Sequence, residues 1–151
     1  MSLSIDYPSG TVPNISVQLE TTSGRKIVVG EIDSGSDRSL CPRAIANDLG
    51  LSSADLKKND LKGMPAVGGT FDTWSADGIA VTGQIALPDT DEGGFVPWGP
   101  LFPMDLAFAD EAETLLLGQR DFFAAFDLKF LNRDGGSVLE ICECPRPPVG
   151  P

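Results

Sequence analysis

Gly30-Glu31-Ile32-Asp33-Ser34-Gly35-Ser36-Asp37 joins an apolar run to a tight turn, with an acid at the junction. Val28, Val29 and Ile32 give the run a strand pattern that is expected to enter the interior. Ser34-Gly35-Ser36 supplies the small side chains and free backbone that a sharp reversal needs. Asp33 is thereby held between a hydrophobic strand and a glycine turn. The same triplet serves widely as a plain Asx or Ser turn, so this stretch alone specifies a turn bearing an acid and no chemistry.

Outward from it, Asn14 to Glu20 alternates apolar and polar residues as a half-buried strand does, and Thr21 to Arg25 is a hairpin turn. Lys26 to Ile32 returns, richer in Val and Ile and so expected to be the more buried of the two strands. Ser39-Leu40-Cys41 reads as a short strand, Pro42 opens a helix that runs to Leu49, and Gly50 stops it. Asp55 to Leu61 is a polar helical turn or loop. Met64 to Trp74 and Gly78 to Leu87 are expected as two arms of a hairpin with Gly68 and Gly69 near its tip. Pro88 to Pro100 reads as an acidic loop; Gly93 and Pro100 stand where a calcium loop needs ligands. Phe102 to Phe108 is predicted as a strand, and Leu115-Leu116-Leu117-Gly118 as a second apolar run that ends on glycine. A short helix over Gln119 to Ala125, a strand over Phe126 to Phe130, a turn at Asp134-Gly135-Gly136 and a last strand over Val138 to Ile141 follow. The expected organisation is an N-terminal arm over 1–13, a domain over 14–141 and a Pro-rich tail over 142–151.

The 151 residues are 41% hydrophobic, enough for one core, and 17 glycines with 12 prolines favour an all-β domain of short strands. A net charge of −11 argues against nucleic acid or an anionic membrane as partner. The absence of histidine excludes Ser-His-Asp and Cys-His catalysis and histidine-ligated zinc within this chain. Cys41, Cys142 and Cys144 have no zinc-ribbon spacing, and low cysteine use fits a reducing compartment. Met1 to Thr11 has neither a basic start nor an apolar stretch, and no segment approaches the roughly 20 apolar residues of a membrane span. A cytoplasmic location is the expectation.

Asp33-Ser34-Gly35-Ser36 after a hydrophobic strand, Val67-Gly68-Gly69-Thr70 between candidate strands, and Leu115-Leu116-Leu117-Gly118 before a short helix together resemble the retropepsin-like aspartic proteases. The resemblance covers 14 to 141 by order of elements. It implies an all-β acid-protease half-barrel with a flap hairpin and one or two short helices. It further implies a homodimer that hydrolyses an extended polypeptide with water, without a cofactor or metal. Asp33, one from each subunit, would be the catalytic pair. Ser34 matches the family's Thr or Ser, whose hydroxyl bonds across the dimer axis; Gly35 admits the substrate backbone, and Ser36 is the small residue that follows. Asp37 matches an acid that binds substrate backbone and pairs with an arginine of the terminal helix. Val67, Gly68 and Gly69 would belong to the flap, and Gly118 and Arg120 would be structural supports.

Two positions depart from the pattern. Gln119 is interposed between Gly118 and Arg120 where the family often has Leu-Gly-Arg-Asp, so Arg38 rivals Arg120 as the partner of Asp37. Glu31 stands where the family usually carries an apolar pocket residue. On Asp33's side of the strand it would favour a basic substrate side chain; in another register it is a solvated acid. The alternative reading is a non-catalytic peptide-binding module on the same scaffold.

Overall fold

The structure, a computed structural model, describes residues 2–59, 64–66, 69–133 and 135–143. In chain order these form β1 (Ser2–Tyr7), β2 (Asn14–Thr21), β3 (Gly24–Ile32), β4 (Ser39–Pro42), α1 (Arg43–Asp48), a single 3-10 turn (Ser53–Asp55), β5 (Lys57–Lys58), β6 (Met64–Ala66) and β7 (Gly69–Phe71). β8 (Trp74–Ser75), β9 (Thr82–Pro88), β10 (Phe95–Pro103), β11 (Leu106–Ala109), β12 (Leu115–Leu117), α2 (Phe122–Ala125), β13 (Phe126–Arg133) and β14 (Gly136–Glu143) follow. The all-β class is as expected. No helix among the described residues is long and apolar enough to cross a membrane.

The large sheet has the order β10-β9-β2-β3-β12-β4-β11-β8-β5, a second sheet the order β1-β14-β13, and β6 and β7 form a two-stranded sheet among the described residues. β2 alternates as its sequence demands, turning Ile15, Val17 and Leu19 inward. β3 reverses the expectation and is the less buried strand, with Val29 58% exposed. Its inward positions include Gly30 and Ile32. A side chain at Gly30 would meet Leu117 at 2.9 Å, so this glycine makes room for β12.

The two larger sheets share one core. Phe102 of β10, Phe122 of α2 and Phe126 of β13 are almost fully buried, with Phe102 and Phe126 edge to face at 5.4 Å between centroids. Leu139 and Ile141 of β14 complete the contact. Each such side chain removed from water stabilises the fold by about 1.5–3 kcal/mol before entropy is counted.

Other expectations are corrected as well. The arm over 1–13, whose polar turns suggest a loose segment, carries a strand: Ser2–Tyr7 pairs antiparallel with β14, and Leu3, Ile5 and Tyr7 pack against the core. The loop expected over 88 to 100 is confined to its first part, because Phe95–Pro103 is a strand paired with β9. Prolines 97, 100 and 103 are tolerated because β10 lies at the edge of its sheet, where a missing N–H breaks no second ladder. The hairpin is shorter than expected. Met64–Ala66 pairs with Gly69–Phe71, whereas β9 pairs with β2 and β10. Finally, the terminal helix spans only Phe122–Ala125, with Asp121 as its N-cap. Val67 and Gly68 of the expected flap tip, and Cys144, lie outside the described residues.

β12 lies between β3 and β4, parallel to the first and antiparallel to the second. The chain leaving β3 at Ile32 must therefore pass over the end of β12 before it enters β4 at Ser39. Asp33 lies on this crossing.

Candidate functional site

The crossing is tied to the residues beneath it. The Asp33 N–H donates to the Leu117 carbonyl at 3.0 Å, which prolongs the parallel ladder past Ile32. Alternation therefore persists to Asp33, whose side chain leaves the sheet opposite Ile32, on the side of Glu31 and Val29. The Gly35 N–H donates to Asp33 Oδ1 at 2.9 Å, and the Ser36 N–H to the Asp33 carbonyl at 3.2 Å. Asp33 is partly exposed, and Ser34 and Gly35 are exposed. The result is an acid with a fixed base and an open face.

Residues 118–120 form the floor. The Gln119 N–H donates to the Ser36 carbonyl at 2.8 Å, the Arg120 N–H to the Asp37 carbonyl at 2.9 Å, and the Gln119 side-chain amide to the Ser34 carbonyl. A Cβ on Gly118 would stand 2.8 Å from the carbonyl oxygens of Ser36 and Arg38. Those are backbone atoms that cannot move aside, so the second apolar run must end on glycine. The Ser36 hydroxyl donates to the Arg38 carbonyl at 2.6 Å and tightens the same turn.

Of the two rival arginines, Arg120 pairs with Asp37, Nη2 to Oδ2 at 2.9 Å. This hydrogen bond, with the charge of Asp37 behind it, raises the guanidinium pKa further above its ordinary value. Arg38 is committed elsewhere: its Nη2 donates to Asp105 Oδ1 at 2.8 Å and to the Leu106 carbonyl at 3.0 Å. Asp105 also stands 3.5 Å from Arg120 and so bridges the two arginines. The single residue between Gly118 and Arg120 does not displace the pair, because backbone bonds from both Gln119 and Arg120 fix the register.

Sequence reasoning missed Asp105 and Asp121. Asp121 Oδ1 accepts from the Ser39 hydroxyl and from the Phe122 N–H, both at 2.6 Å, and Oδ2 accepts from the Asp105 N–H at 2.9 Å. Ser39 Oγ in turn accepts from the Gly118 N–H at 3.0 Å, so one carboxylate secures the ends of β4, β12 and α2. An acid before Phe122-Phe123 is an N-cap signal, and Asp121 was legible on that ground. Asp105 carries no local signal, since its partner Arg38 lies 67 positions away.

Glu31 sits opposite Asn14 on β2 and Leu116 on β12 and is partly exposed. No described cation stands within ion-pairing distance of it. Gly69 lies in β7 opposite Ala66.

The sequence matches no protein-family model and no curated protein. Among solved structures it is similar to a retropepsin-like aspartic protease from Rickettsia conorii, with a TM-score of 0.50 over 95% of each chain at 14% identity. The fold is retropepsin-like. A structure of EIAV protease with an inhibitor also matches, with a TM-score of 0.47 and 21% identity over 76% of this chain and 88% of that one. Within this retropepsin-like fold, Asp33 occupies the junction between β3 and the turn that follows it.

Proposed function

We propose that the chain is one half of a homodimeric aspartic endopeptidase, in which Asp33 of each subunit forms a catalytic pair. The observation that supports this reading is the mounting of Asp33, held by the Leu117 carbonyl at its backbone and by the Gly35 N–H at one carboxylate oxygen, on an open crossing loop. A single carboxylate cannot perform the reaction, and a two-fold axis supplies the second. Two like charges held close do not both ionise, so the pair shares a proton. The ionised partner takes a proton from a water held between the two acids while the protonated partner donates to the scissile carbonyl. Water attacks directly and no covalent intermediate forms.

In this reading Ser34 braces the two loops across the axis, and Gly35 and Ser36 leave room for an extended substrate backbone. Asp37, oriented by Arg120, accepts from that backbone, and Glu31 meets a basic side chain. The hairpin of β6 and β7 closes over the bound peptide.

Cleavage of a peptide library by the purified protein from pH 4 to 7 tests the proposal. Proteolysis abolished both by Asp33→Asn and by an aspartic-protease transition-state inhibitor is the expected result. Proteolysis that survives Asp33→Asn rejects the pair. A dimer that binds peptides and cleaves none would instead be a peptide-binding module.

A further inference from the structure

Gln119 has no role in the sequence pattern, where it only interrupts a familiar spacing. We propose that Gln119 is a positioning residue for the Asp33 carboxylate, acting through the single peptide group between Ser34 and Gly35. The catalytic part of this inference rests on the protease reading above.

The Gln119 side-chain amide donates to the carbonyl oxygen of Ser34. That carbonyl belongs to the same peptide unit as the Gly35 N–H, which donates to Asp33 Oδ1 at 2.9 Å. A peptide unit is planar, so fixing the direction of its oxygen fixes the direction of its N–H. Hydrogen bonds in series also polarise one another, and a donor on the oxygen makes the N–H the better donor. Gln119 thus reaches the carboxylate through two bonds and one rigid plane without touching it.

The surroundings leave this task to few groups. Ser34, Gly35 and Gln119 are all exposed, so the loop tip is not gripped by buried side chains. The Ser34 carbonyl lies beyond β3, outside any ladder that would pair it. Gln119 itself starts from a fixed point, because its own N–H donates to Ser36 and the next N–H donates to Asp37. A carbonyl can only accept, so position 119 must present a donor of this length. Leucine would fill similar space and offer none. An ionised glutamate would direct negative charge at the carbonyl.

The test uses the full chain with Gln119→Leu, Gln119→Glu and Gln119→Lys, the last keeping a donor at the end of a flexible stem. In nitrogen-15 NMR spectra the Gly35 amide proton is expected to move upfield in the Leu and Glu variants and to return toward its original position in the Lys variant. In peptide cleavage kcat is expected to fall about 3- to 10-fold in the first two, the range set by one hydrogen bond, with KM within about twofold and partial recovery with Lys. The thermal midpoint, followed in parallel, separates this from general loss of fold. A Gly35 signal that stays in place in both the Leu and Glu variants overturns the clamp. A signal that moves while kcat holds overturns the positioning role. A wild-type chain that cleaves nothing sinks the protease reading instead, and the Gly35 signal still decides whether Gln119 governs this peptide group.

Discussion

Asp121 is 4% exposed and accepts three hydrogen bonds, and its carboxyl nevertheless holds its proton more tightly than an ordinary aspartate. Burial is the largest effect and raises the pKa, the hydroxyl of Ser39 and the N–H groups of Asp105 and Phe122 oppose it, and the charge of Asp105 adds to the rise, which prevails. The linkage has a definite sign. A carboxyl whose folded pKa is raised contributes stability that is fully present below its unfolded pKa and is lost as pH rises through the folded value. Asp121→Asn removes this titration and presents an amide N–H₂ where one N–H donor already points. We expect a loss of about 1–3 kcal/mol at neutral pH, from one or two misdirected buried bonds. Because only the wild type gains from protonation, the gap in urea-unfolding free energy between the two proteins should widen as pH falls from 7 toward 3. A gap that narrows on acidification would contradict the assignment. Cys41 follows the same physics without consequence for charge: burial alone pushes its thiol up to about 12, which leaves it protonated and inert at neutral pH.

Gly118 expresses a constraint between elements. The crossing from β3 to β4 rests on the end of β12 so closely that a methyl group would meet two carbonyl oxygens at 2.8 Å. Gly118→Ala should cost about 1–3 kcal/mol as overpacking against backbone and should lift the Asp33 loop. A lowered thermal midpoint together with faster hydrogen exchange at the Ser36 and Gln119 amides would show this. An unchanged midpoint would mean that the crossing has slack. The elements around this point were largely legible in the sequence, because β2, β4, β12 and α1 follow patterns written within their own residues. What escaped was set by neighbours. β1 has the alternation of Leu3, Ile5 and Tyr7, but its partner β14 lies at the other end of the chain. β10 reads as a loop because of its prolines, and only its edge position makes them acceptable. The exposed face of β3 was hidden by residue type, since Val29 is apolar yet faces out, while the inward position next to it is Gly30, under the Leu115 and Leu117 side chains of β12. At the site, Asp33, Gly35 and Gly118 were visible as a local pattern. The bridging of two arginines by Asp105 was not, because nothing near Asp105 in the chain announces it.

Over the whole molecule, a net charge of −11 bears on assembly. The proposed dimer would carry twice that, −22, so its subunits would repel at low ionic strength and added salt would screen the repulsion. We therefore expect self-association to tighten between low salt and about 0.5 M, as read by sedimentation. A dimer tighter at low salt would show that specific ion pairs across the interface outweigh the net charge. The placement of β12 between β3 and β4 bears on a different matter, the order in which the protein can be completed during synthesis. Asp33 leaves the ribosome early, but the contact between Ser34 and Gln119 joins residues 85 positions apart. Until that later segment emerges, the β3–β4 crossing has no floor, and neither the Leu117 bond to Asp33 nor the Gln119 bond to Ser34 can form. A nascent or truncated chain that ends before Gly118 would thus carry the acid without the setting that holds it. Any activity that depends on this setting arises only after Gln119 has been made and has folded back onto Ser34.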